Sequence, residues 1–385
     1  MRDFVFSYPT KTYFGAGVLS RALGAELQKY GPVVMLAYGG GSVKKNGIYD
    51  ETLALLRAAN KEVAEFSGIG PNPTYAKVQE GARLARERGA DLILAVGGGS
   101  VSDCCKAVSA QARCSGDLWE RERVLHQPPS AFIPLGVVVT AAGTGSEQND
   151  IAVITHEEKK IKCGLRGACP DFAALDPAFT LSVPWPQVVS GVFDTLSHCM
   201  ETYFGAPLDD NLSDSIAEAV MRGVIHNARA LLKNPGDLNL RGELMWAAAM
   251  AENGLLKIGK VTDFQAHQIE HQVGAYTNCN HGMGLAVIQP ILYRHIYKAA
   301  LPRFARFARN VWDVVGEKDE GALALEGLQA LQDFISELGL PVSFRKMGLT
   351  DKSFFKAAAH STNIKQGCCR QLTEGEIFDI LQECW

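Results

Sequence analysis

The sequence predicts an α/β domain followed by an all-α domain, and two observations lead to this fold class. In the first half, short apolar runs such as VVMLAY (33–38) end in glycine-rich turns and lead into helical periods. Repeated strand–turn–helix units of this kind favour a parallel sheet with helices on both faces. Beyond Pro184 and Pro186, strand-like runs are scarce and helical periods dominate. We therefore expect domains at residues 1–183 and 184–385.

The predicted elements follow one another in a regular order. The N-terminal stretch 4–17 is interpreted as two short strands with an exposed apolar edge. Edges of that kind tend to pair, so we expect at least a homodimer. The other strands of the first domain are predicted at 33–38, 63–66, 92–96 and 137–140, and its helices at 49–60, 75–88 and 102–112. Helices of the second domain are predicted at 187–205, 211–233, 240–257, 263–276, 285–298, 302–314, 320–338 and 374–383.

Composition narrows the functional classes. A chain of 385 residues can build two domains with sizeable cores. Its net charge of −4 offers no basic field for nucleic acid. The longest apolar runs are too short to cross a bilayer, and the N-terminus lacks the pattern of an export signal. The ten cysteines include the adjacent pairs 104–105 and 368–369 and no CxxC, which favours reduced thiols in a cytoplasmic protein.

Three glycine-rich turns each follow a predicted strand, at 39–42, 97–100 and 141–147. Glycine lets the backbone approach an anion, and the following helix supplies N–H donors and a positive dipole. Three such turns at strand carboxyl ends indicate one crevice that could hold a dinucleotide. The spacing differs from the GxGxxG of the Rossmann fold.

The first of these turns also bears on the choice of coenzyme. It contains Gly39, Gly40 and Ser42, and Lys44 and Lys45 follow it. An NAD-selective site commonly places an acid here to hold the ribose 2′-hydroxyl, yet no carboxylate follows in the sequence until Asp50. Ser42 and either lysine could instead bind a 2′-phosphate. We therefore expect NADP(H) to be favoured over NAD(H).

Five side chains of the second half form a candidate metal site: Asp194, His198, His267, His271 and His281. The first two are four residues apart, and so are the third and fourth, which places each pair on one face of a helix. Imidazoles with one carboxylate suit a divalent ion of the Fe²⁺ or Zn²⁺ type and leave room for an oxygen ligand, as in a catalytic centre. Spacing alone does not decide which three or four of the five bind.

Longer segments join these motifs into a family resemblance. They are YFGAG (13–17), YGGGSVKKNGIYD (38–50), GIGPNP (68–73), AVGGGSVSDCCK (95–106), TAAGTGSE (140–147), LDPAFT (175–180), DTLSHCMETY (194–203), HQIEHQVGAY (267–276) and HGMGLA (281–286). Together they resemble the iron-containing, group III alcohol dehydrogenases, in particular the butanol dehydrogenase-like branch. The resemblance implies the fold of the dehydroquinate synthase-like superfamily, with an α/β nucleotide-binding domain and an all-α metal-binding domain. It also implies hydride transfer between NAD(P)(H) and a small primary alcohol or aldehyde.

The resemblance assigns roles to particular residues. It implies that the metal is held by Asp194, His198, His267 and His281. It implies that the pyrophosphate is held by Gly98, Gly99 and Ser100, and that the rest of the coenzyme site is lined by Asn72, Thr140, Thr144, Asn149, Lys162 and Leu181.

Two residues are candidates for catalysis. The resemblance places His271 beside the nicotinamide, where an imidazole could relay a proton or simply pack. Asp103 follows the second glycine turn, and we interpret it first as a carboxylate at a helix N-terminus and second as a nicotinamide contact.

Three other functional classes are alternatives to an alcohol dehydrogenase. A metal- and NAD-using lyase of the dehydroquinate synthase type would need many Lys and Arg around the metal, and segments 194–203 and 263–286 contain none. A polyol dehydrogenase such as glycerol dehydrogenase and a non-enzymatic metal-binding protein are further alternatives. The absence of basic residues favours a small substrate that is uncharged or weakly polar.

Overall fold

The computed structural model describes residues 2–316, 318–364 and 369–385, and this part of the chain divides into two compact units. Ser7–Pro184 form the sheet unit. Trp185–Trp385, joined by the N-terminal residues as far as Phe6, form the helical unit. Each unit buries a hydrophobic core of its own.

The sheet unit contains eight strands among its described residues. They are β1 Lys11–Phe14, β2 Val33–Tyr38, β3 Glu62–Phe66, β4 Leu92–Gly97, β5 Leu135–Val139, β6 Ile151–His156, β7 Ile161–Arg166 and β8 Phe172–Leu175. Six of them form a sheet in the order β1-β8-β5-β4-β2-β3, and every neighbouring pair is parallel. Because β4 and β5 are buried along their whole length, they read as continuous apolar runs, as central parallel strands do.

Helices connect these strands. They are α1 Val18–Glu26, α2 Ser42–Lys45, α3 Ile48–Ala58, α4 Tyr75–Glu87, α5 Gly99–Arg113 and α6 Leu118–Arg123, with 3-10 turns at Leu27–Lys29, Ser146–Gln148 and Pro177–Ser182. Thr74 begins α4 because its side chain accepts a hydrogen bond from the Lys77 backbone at 3.2 Å. Helix α5 begins three residues earlier than predicted, so Gly99 and Ser100 belong to its first turn.

Three strands of the sheet unit were not predicted. Strands β6 and β7 form a separate antiparallel pair, and β8 lies inside the main sheet between β1 and β5. The strand β8 reads FAAL, which is short and carries two alanines, so its pattern is weak. Its place is set by its two neighbours in the sheet.

The N-terminal prediction of two strands is wrong. Within this segment only Lys11–Phe14 forms a strand, the edge strand β1, which pairs in parallel with β8. Pro9 precedes it and has no N–H to give to a ladder. The apolar exposure was predicted correctly, since Phe4 is 53% and Phe6 43% exposed.

The helical unit is built from nine helices among its described residues. They are α7 Trp185–Tyr203, α8 Leu212–Lys233, α9 Leu238–Glu252, α10 Gln265–Thr277, α11 His281–Ile296, α12 Leu301–Trp312, α13 Glu320–Glu337, α14 Phe355–Ser361 and α15 Glu374–Glu383. Helix α14 was not predicted, and α11 begins four residues before the predicted 285 because Asn280 caps it. Side-chain caps from Asn211 and Asp237 likewise start α8 and α9.

Two other expectations can be compared with the described residues. None of their helices is long and apolar enough to span a membrane. The nine cysteines among them are thiols rather than disulfides, and Cys368 lies outside the described residues.

Candidate functional site

Helix α7 supplies the first two predicted metal ligands. Asp194 and His198 are four residues apart on it and are buried, with 3% and 8% of their surfaces exposed. The Asp194 Oδ1 atom lies 3.8 Å from His198 Nδ1. The i, i+4 spacing therefore places both side chains on one buried face, as the sequence indicated.

Two other helices bring histidines to the same carboxylate. His267 lies in the first turn of α10, and His281 is the first residue of α11. The Nε2 atoms of both rings lie 3.6 Å from Asp194 Oδ1. The ligand atoms of these three residues all lie within 4.8 Å of one another. His198 is outside that tightest group, but its ring stacks on His267 with centroids 4.6 Å apart.

Glycines in the HGMG segment let helix α11 approach the other two helices. A Cβ on Gly282 would collide with the Ser190 backbone of α7, and a Cβ on Gly284 would lie 2.8 Å from Glu270 Cγ of α10. Asn280 adds a hydrogen bond of 2.5 Å from the Ser190 hydroxyl. These contacts fix the start of α11 and therefore the position of His281.

The centre fits a cation, because several polar atoms facing it are buried without a hydrogen-bond partner. Among the described residues these atoms include Asp194 Oδ1, His198 Nδ1 and His267 Nε2. An unpaired buried carboxylate oxygen is costly unless a proton or a metal satisfies it. Two imidazole nitrogens beside such an oxygen are suitable donors for a divalent ion.

The electrostatic environment of the centre likewise favours positive charge. Burial raises the pKa of Asp194, but the nearby His198, His281 and His267 outweigh it and hold that pKa well below its usual range. Burial lowers the pKa of His267, but the Glu201 and Asp194 carboxylates raise it to about 10. Burial lowers the pKa of His198, and the opposing attraction of the Asp194 and Glu252 carboxylates does not outweigh it.

Two buried glutamates in this centre were missed from the sequence. Glu201 contacts His267 Nδ1, and Glu270 contacts His281 Nδ1. Glu201 lies on α7 at i+7 from Asp194, and Glu270 lies on α10 at i+3 from His267. That spacing was a usable signal, since it places an acid on the ligand face of each helix.

His271 is buried one turn beyond His267 on α10. Its ring centroid is 5.5 Å from that of His281 and 6.2 Å from that of His267. It also forms a second potential metal-binding group with Glu270 and His281, whose ligand atoms lie within 4.8 Å of one another. The structure therefore places all five candidates in one cluster, and the proton relay by His271 stays a prediction.

In the sheet unit, the three glycine turns follow β2, β4 and β5, which are neighbours in the sheet. Because these strands are parallel, their carboxyl ends and turns share one edge, as predicted. Gly98 lies against Ala141, where an added Cβ would be 3.2 Å from the alanine Cβ. Thr140 bridges the second and third turns by donating its N–H to the Gly97 carbonyl at 3.0 Å.

The second turn has the closest approach at this edge. A Cβ on Gly99 would lie 2.9 Å from Thr144 Cβ and closer still to the other Thr144 side-chain atoms. Glycine is therefore needed at Gly99 for space rather than for an unusual dihedral angle. Ser100 follows it in the first turn of α5, beside backbone N–H groups that a helix start leaves unpaired.

Three further residues predicted to bind the coenzyme, Asn72, Lys162 and Leu181, lie on other segments of the sheet unit. Asn72 has a left-handed φ of 49° in a loop whose Pro73 carbonyl accepts from the Thr155 N–H at 2.9 Å. Thr155 is also the strand partner of the buried Lys162. Leu181 is 47% exposed in the 3-10 turn Pro177–Ser182.

Asp103 lies beyond the first turn of α5, which contains no acidic residue, so its interpretation as a carboxylate at the helix N-terminus is wrong. The Asp103 carboxylate accepts from the Ser146 hydroxyl at 2.5 Å and from the Val153 N–H at 3.1 Å. Lys106, fully buried and missed from the sequence, lies 3.7 Å from the Asp103 carboxylate and donates to Asn149 Oδ1 at 2.9 Å. The catalytic role of Asp103 stays a prediction.

The tertiary structure brings an acidic residue, Glu65, close to the first glycine turn, although the two are distant in the sequence. Glu65, on β3, accepts hydrogen bonds of 2.6 Å from the hydroxyls of Tyr38 and Tyr49. Lys44 Nζ lies 3.6 Å from the same carboxylate, whereas Lys45 is exposed. The two lysines beside the turn therefore differ in their availability to a ligand.

Comparison with known proteins places this chain in a family. The family model "Iron-containing alcohol dehydrogenase" matches residues 9–177, and the model for the C-terminal part of the same family matches residues 188–385. The chain therefore belongs to the iron-containing alcohol dehydrogenase family. It is an oxidoreductase of the alcohol dehydrogenase class, and the predicted fold class is confirmed.

Individual relatives are similar over nearly their whole length. The chain is 35% identical to the NADH-dependent butanol dehydrogenase A of Clostridium acetobutylicum, covering 100% of both chains. It is 33% identical to the NADPH-dependent aldehyde reductase YqhD of Escherichia coli, covering 92% of this chain and 91% of YqhD. The crystal structure of a Thermotoga maritima NADH-dependent butanol dehydrogenase A superimposes with a TM-score of 0.94 at 32% identity, covering 100% of this chain and 99% of that one.

These similarities distinguish between the functional classes that the sequence allows. A metal-dependent, NAD(P)-dependent alcohol dehydrogenase or aldehyde reductase is confirmed at that level. The lyase and glycerol dehydrogenase alternatives are not favoured.

Proposed function

We propose that the chain reduces small aliphatic aldehydes to primary alcohols with a reduced nicotinamide coenzyme and catalyses the reverse oxidation. In this proposal residues 1–183 bind the dinucleotide, and residues 184–385 bind the metal and carry the catalytic groups. The similarity to a butanol dehydrogenase and to an aldehyde reductase supports the substrate class.

The metal ligands of this proposal are Asp194, His198, His267 and His281, with Fe²⁺ or Zn²⁺ as the ion. One observation carries the assignment: Asp194 Oδ1 is buried without a hydrogen-bond partner and has two imidazole Nε2 atoms 3.6 Å away. An ion held there would act as a Lewis acid toward an alcohol or carbonyl oxygen.

The protein's own residues orient the reactants and handle the proton. Burial of Asp194, His198 and His267 limits competition by water at the centre, while the His281 side chain remains partly exposed. We assign proton relay to His271, because an imidazole titrates near neutral pH and its ring lies within the same cluster as His281. Asp103 would contact the nicotinamide only secondarily, since its oxygens already bind Ser146 and Val153.

Coenzyme binding is assigned to the edge of the sheet in the sheet unit. Gly98, Gly99 and Ser100 would receive the pyrophosphate at the start of the fifteen-residue helix α5, where backbone N–H groups and the helix dipole favour an anion. The remaining contacts are assigned to Gly39, Gly40, Ser42, Asn72, Thr140, Thr144, Asn149, Lys162 and Leu181.

The charge around the centre supports a small uncharged substrate. Segments 194–203 and 263–286 contain no Lys or Arg. The lysines in the segment preceding α10 are committed elsewhere, since Lys257 pairs with Glu252 at 2.8 Å and Lys260 pairs with the buried Asp214. A phosphorylated or multiply carboxylated substrate would find no free cation among these groups.

An assay of protein with measured metal content tests this function. We expect about one Fe²⁺ or Zn²⁺ per chain, and oxidation of NADH or NADPH equimolar with the consumption of an aldehyde such as butanal. Protein stripped of metal by a chelator should lose this activity and regain it when the ion is restored. Full activity in the stripped protein would contradict the proposal.

For the coenzyme we propose that NADP(H) is preferred to NAD(H). Exposed Ser42 and Lys45 remain available to a 2′-phosphate, although Glu65 holds Lys44. Gly40 offers a direct test, because a Cβ there meets no atom within 4 Å and its φ is not positive. Gly41 is less suitable, since its φ of 104° would strain an Asp.

Gly40→Asp should repel a 2′-phosphate and can accept a hydrogen bond from a 2′-hydroxyl. We expect the ratio of kcat/KM for NADPH to that for NADH to fall at least about tenfold, or about 1.4 kcal/mol. Gly40→Asn, with the same shape and no charge, is the matched control and should shift the ratio less. A wild type that prefers NADH, with a ratio unmoved by Gly40→Asp, would refute this interpretation of the turn.

The homodimer and the cytoplasmic location stay predictions. Exposed Phe4, Phe6 and Phe14, together with the edge strand β1, support self-association. Light scattering at micromolar concentration should give at least twice the mass of one chain, and a monomer would contradict the prediction.

A further inference from the structure

We propose that Glu201 and Glu270 are positioning residues that orient His267 and His281 for metal binding. The proposal rests on the proposed metal centre. Its evidence is that each glutamate, fully buried, contacts the Nδ1 atom of a different histidine. The Nε2 atom of each ring lies on the other side, 3.6 Å from Asp194 Oδ1.

The pairing decides the tautomer of each ring. A histidine binds a metal as the neutral imidazole, which carries one proton, and a carboxylate at Nδ1 holds that proton there. The lone pair is then on Nε2, the atom that faces Asp194. Carboxylates in this position also make a histidine a better metal ligand, and their removal typically weakens metal binding about 10- to 100-fold.

Glu201 also contacts backbone N–H groups at the start of α10, and these contacts require two acceptor oxygens. Its Oε1 accepts from the Ala266 N–H at 2.6 Å, and its Oε2 accepts from the His267 N–H at 3.2 Å and contacts His267 Nδ1. Both oxygens thus accept from donors. An amide in the same place has one oxygen and one NH₂, so Glu201→Gln must set a donor against a donor.

Glu270 makes the equivalent contact from the neighbouring helix. Its Oε2 faces His281 Nδ1, and Cys279 Sγ lies 3.7 Å from its Oε1. Gly284 permits this arrangement, because a Cβ there would press on Glu270 Cγ. Two helices therefore each supply an acid that orients a histidine, Glu201 from α7 for α10 and Glu270 from α10 for α11.

Measurements of metal affinity can show whether Glu201 and Glu270 orient the histidine ligands or only stabilise the fold. We would titrate Zn²⁺ into metal-stripped wild type, Glu201→Gln and Glu270→Gln against a chromogenic chelator, and record Co²⁺ absorption spectra at saturating metal. Glu218→Gln is the matched control, because Glu218 is also a buried helical acid of this unit but contacts Tyr203 and Arg306 rather than histidine.

We expect Zn²⁺ affinity to fall about 10- to 100-fold in both variants, with altered Co²⁺ spectra, and to stay at the wild-type value in Glu218→Gln. Glu270→Gln retains the Glu201 contacts to the start of α10, so it tests the proposal if Glu201→Gln does not fold. Wild-type affinity and spectra in folded Glu270→Gln would overturn the inference while leaving the metal centre intact. A wild type that binds no divalent ion would overturn both proposals.

Discussion

The candidate dinucleotide edge of the sheet unit is made mostly of backbone, whereas the candidate metal centre of the helical unit is made of side chains. At the edge, glycines bring three turns together at the ends of β2, β4 and β5, and space is the main requirement. In the centre, charged and imidazole groups from α7, α10 and α11 converge on Asp194. The two regions should therefore respond to different kinds of substitution.

The largest effect is expected from removing a side chain of the metal centre. His267→Ala deletes one of the two Nε2 atoms that lie 3.6 Å from Asp194 Oδ1. We expect most of the bound metal to be lost, and activity to fall about 10³-fold or more, as catalysis that depends on a Lewis acid requires. Elemental analysis and steady-state assays measure the two effects.

His271→Ala provides a comparison with His267→Ala, because the two histidines lie on one face of α10. It should retain the metal and lose rate by about 10²-fold, the usual contribution of a positioned acid or base. Equal metal loss in His267→Ala and His271→Ala would remove the distinction between a ligand and a proton relay.

A smaller effect is expected from adding one methyl group at the dinucleotide edge. Gly99→Ala places a Cβ 2.9 Å from Thr144 Cβ, so the turn must shift. We expect KM for the coenzyme to rise about tenfold, while metal content stays at the wild-type level because the metal residues lie in the other unit. Gly24→Ala is the control, since a Cβ at that helical position meets nothing within 4 Å. A rise in KM of the same size in both variants would argue against a steric cause.

The smallest effect concerns Glu26, a buried acid whose carboxylate, unlike that of Asp194, already accepts hydrogen bonds from neighbouring side chains. Burial raises the pKa of Glu26, but hydrogen bonds from Lys29, Tyr13 and Lys11 lower it to about 2. A lowered folded-state pKa stabilises the fold above the ordinary value of 4.5 and loses that contribution as the pH falls toward 2.

Glu26→Gln tests this sign. We expect the variant to be less stable at pH 7 by about 1–2 kcal/mol, after allowance for solvent around the partner lysines. The difference from wild type should shrink as the pH falls from about 4.5 to 2. Urea unfolding across that range measures it, and a difference that grows on acidification would contradict the assignment.

Local sequence patterns predicted much of the fold because they report which faces are buried. The apolar runs of β2, β4 and β5 and the helical periods of α7, α8 and α13 were found within a few residues of their observed bounds. Strand β8 was missed, since its partners β1 and β5 are distant in the sequence. The adjacent strands β6 and β7 were missed because the residues that connect them, EEKK (157–160), include no glycine, proline or asparagine to indicate a turn. The start of α11 was misplaced because its cap, Asn280, carries little apolar signal.

By itself, the sequence determined the two-part fold, the three glycine turns and the five candidate metal residues. These follow from periodicity, spacing and residue chemistry, all of which are local. Only the tertiary structure decided that His267 and His281 both lie next to Asp194. It also decided that Glu201 and Glu270 contact these two histidines, and that Glu65 pairs with Lys44. Contacts between residues on different elements depend on how those elements pack, and local periodicity does not encode that packing.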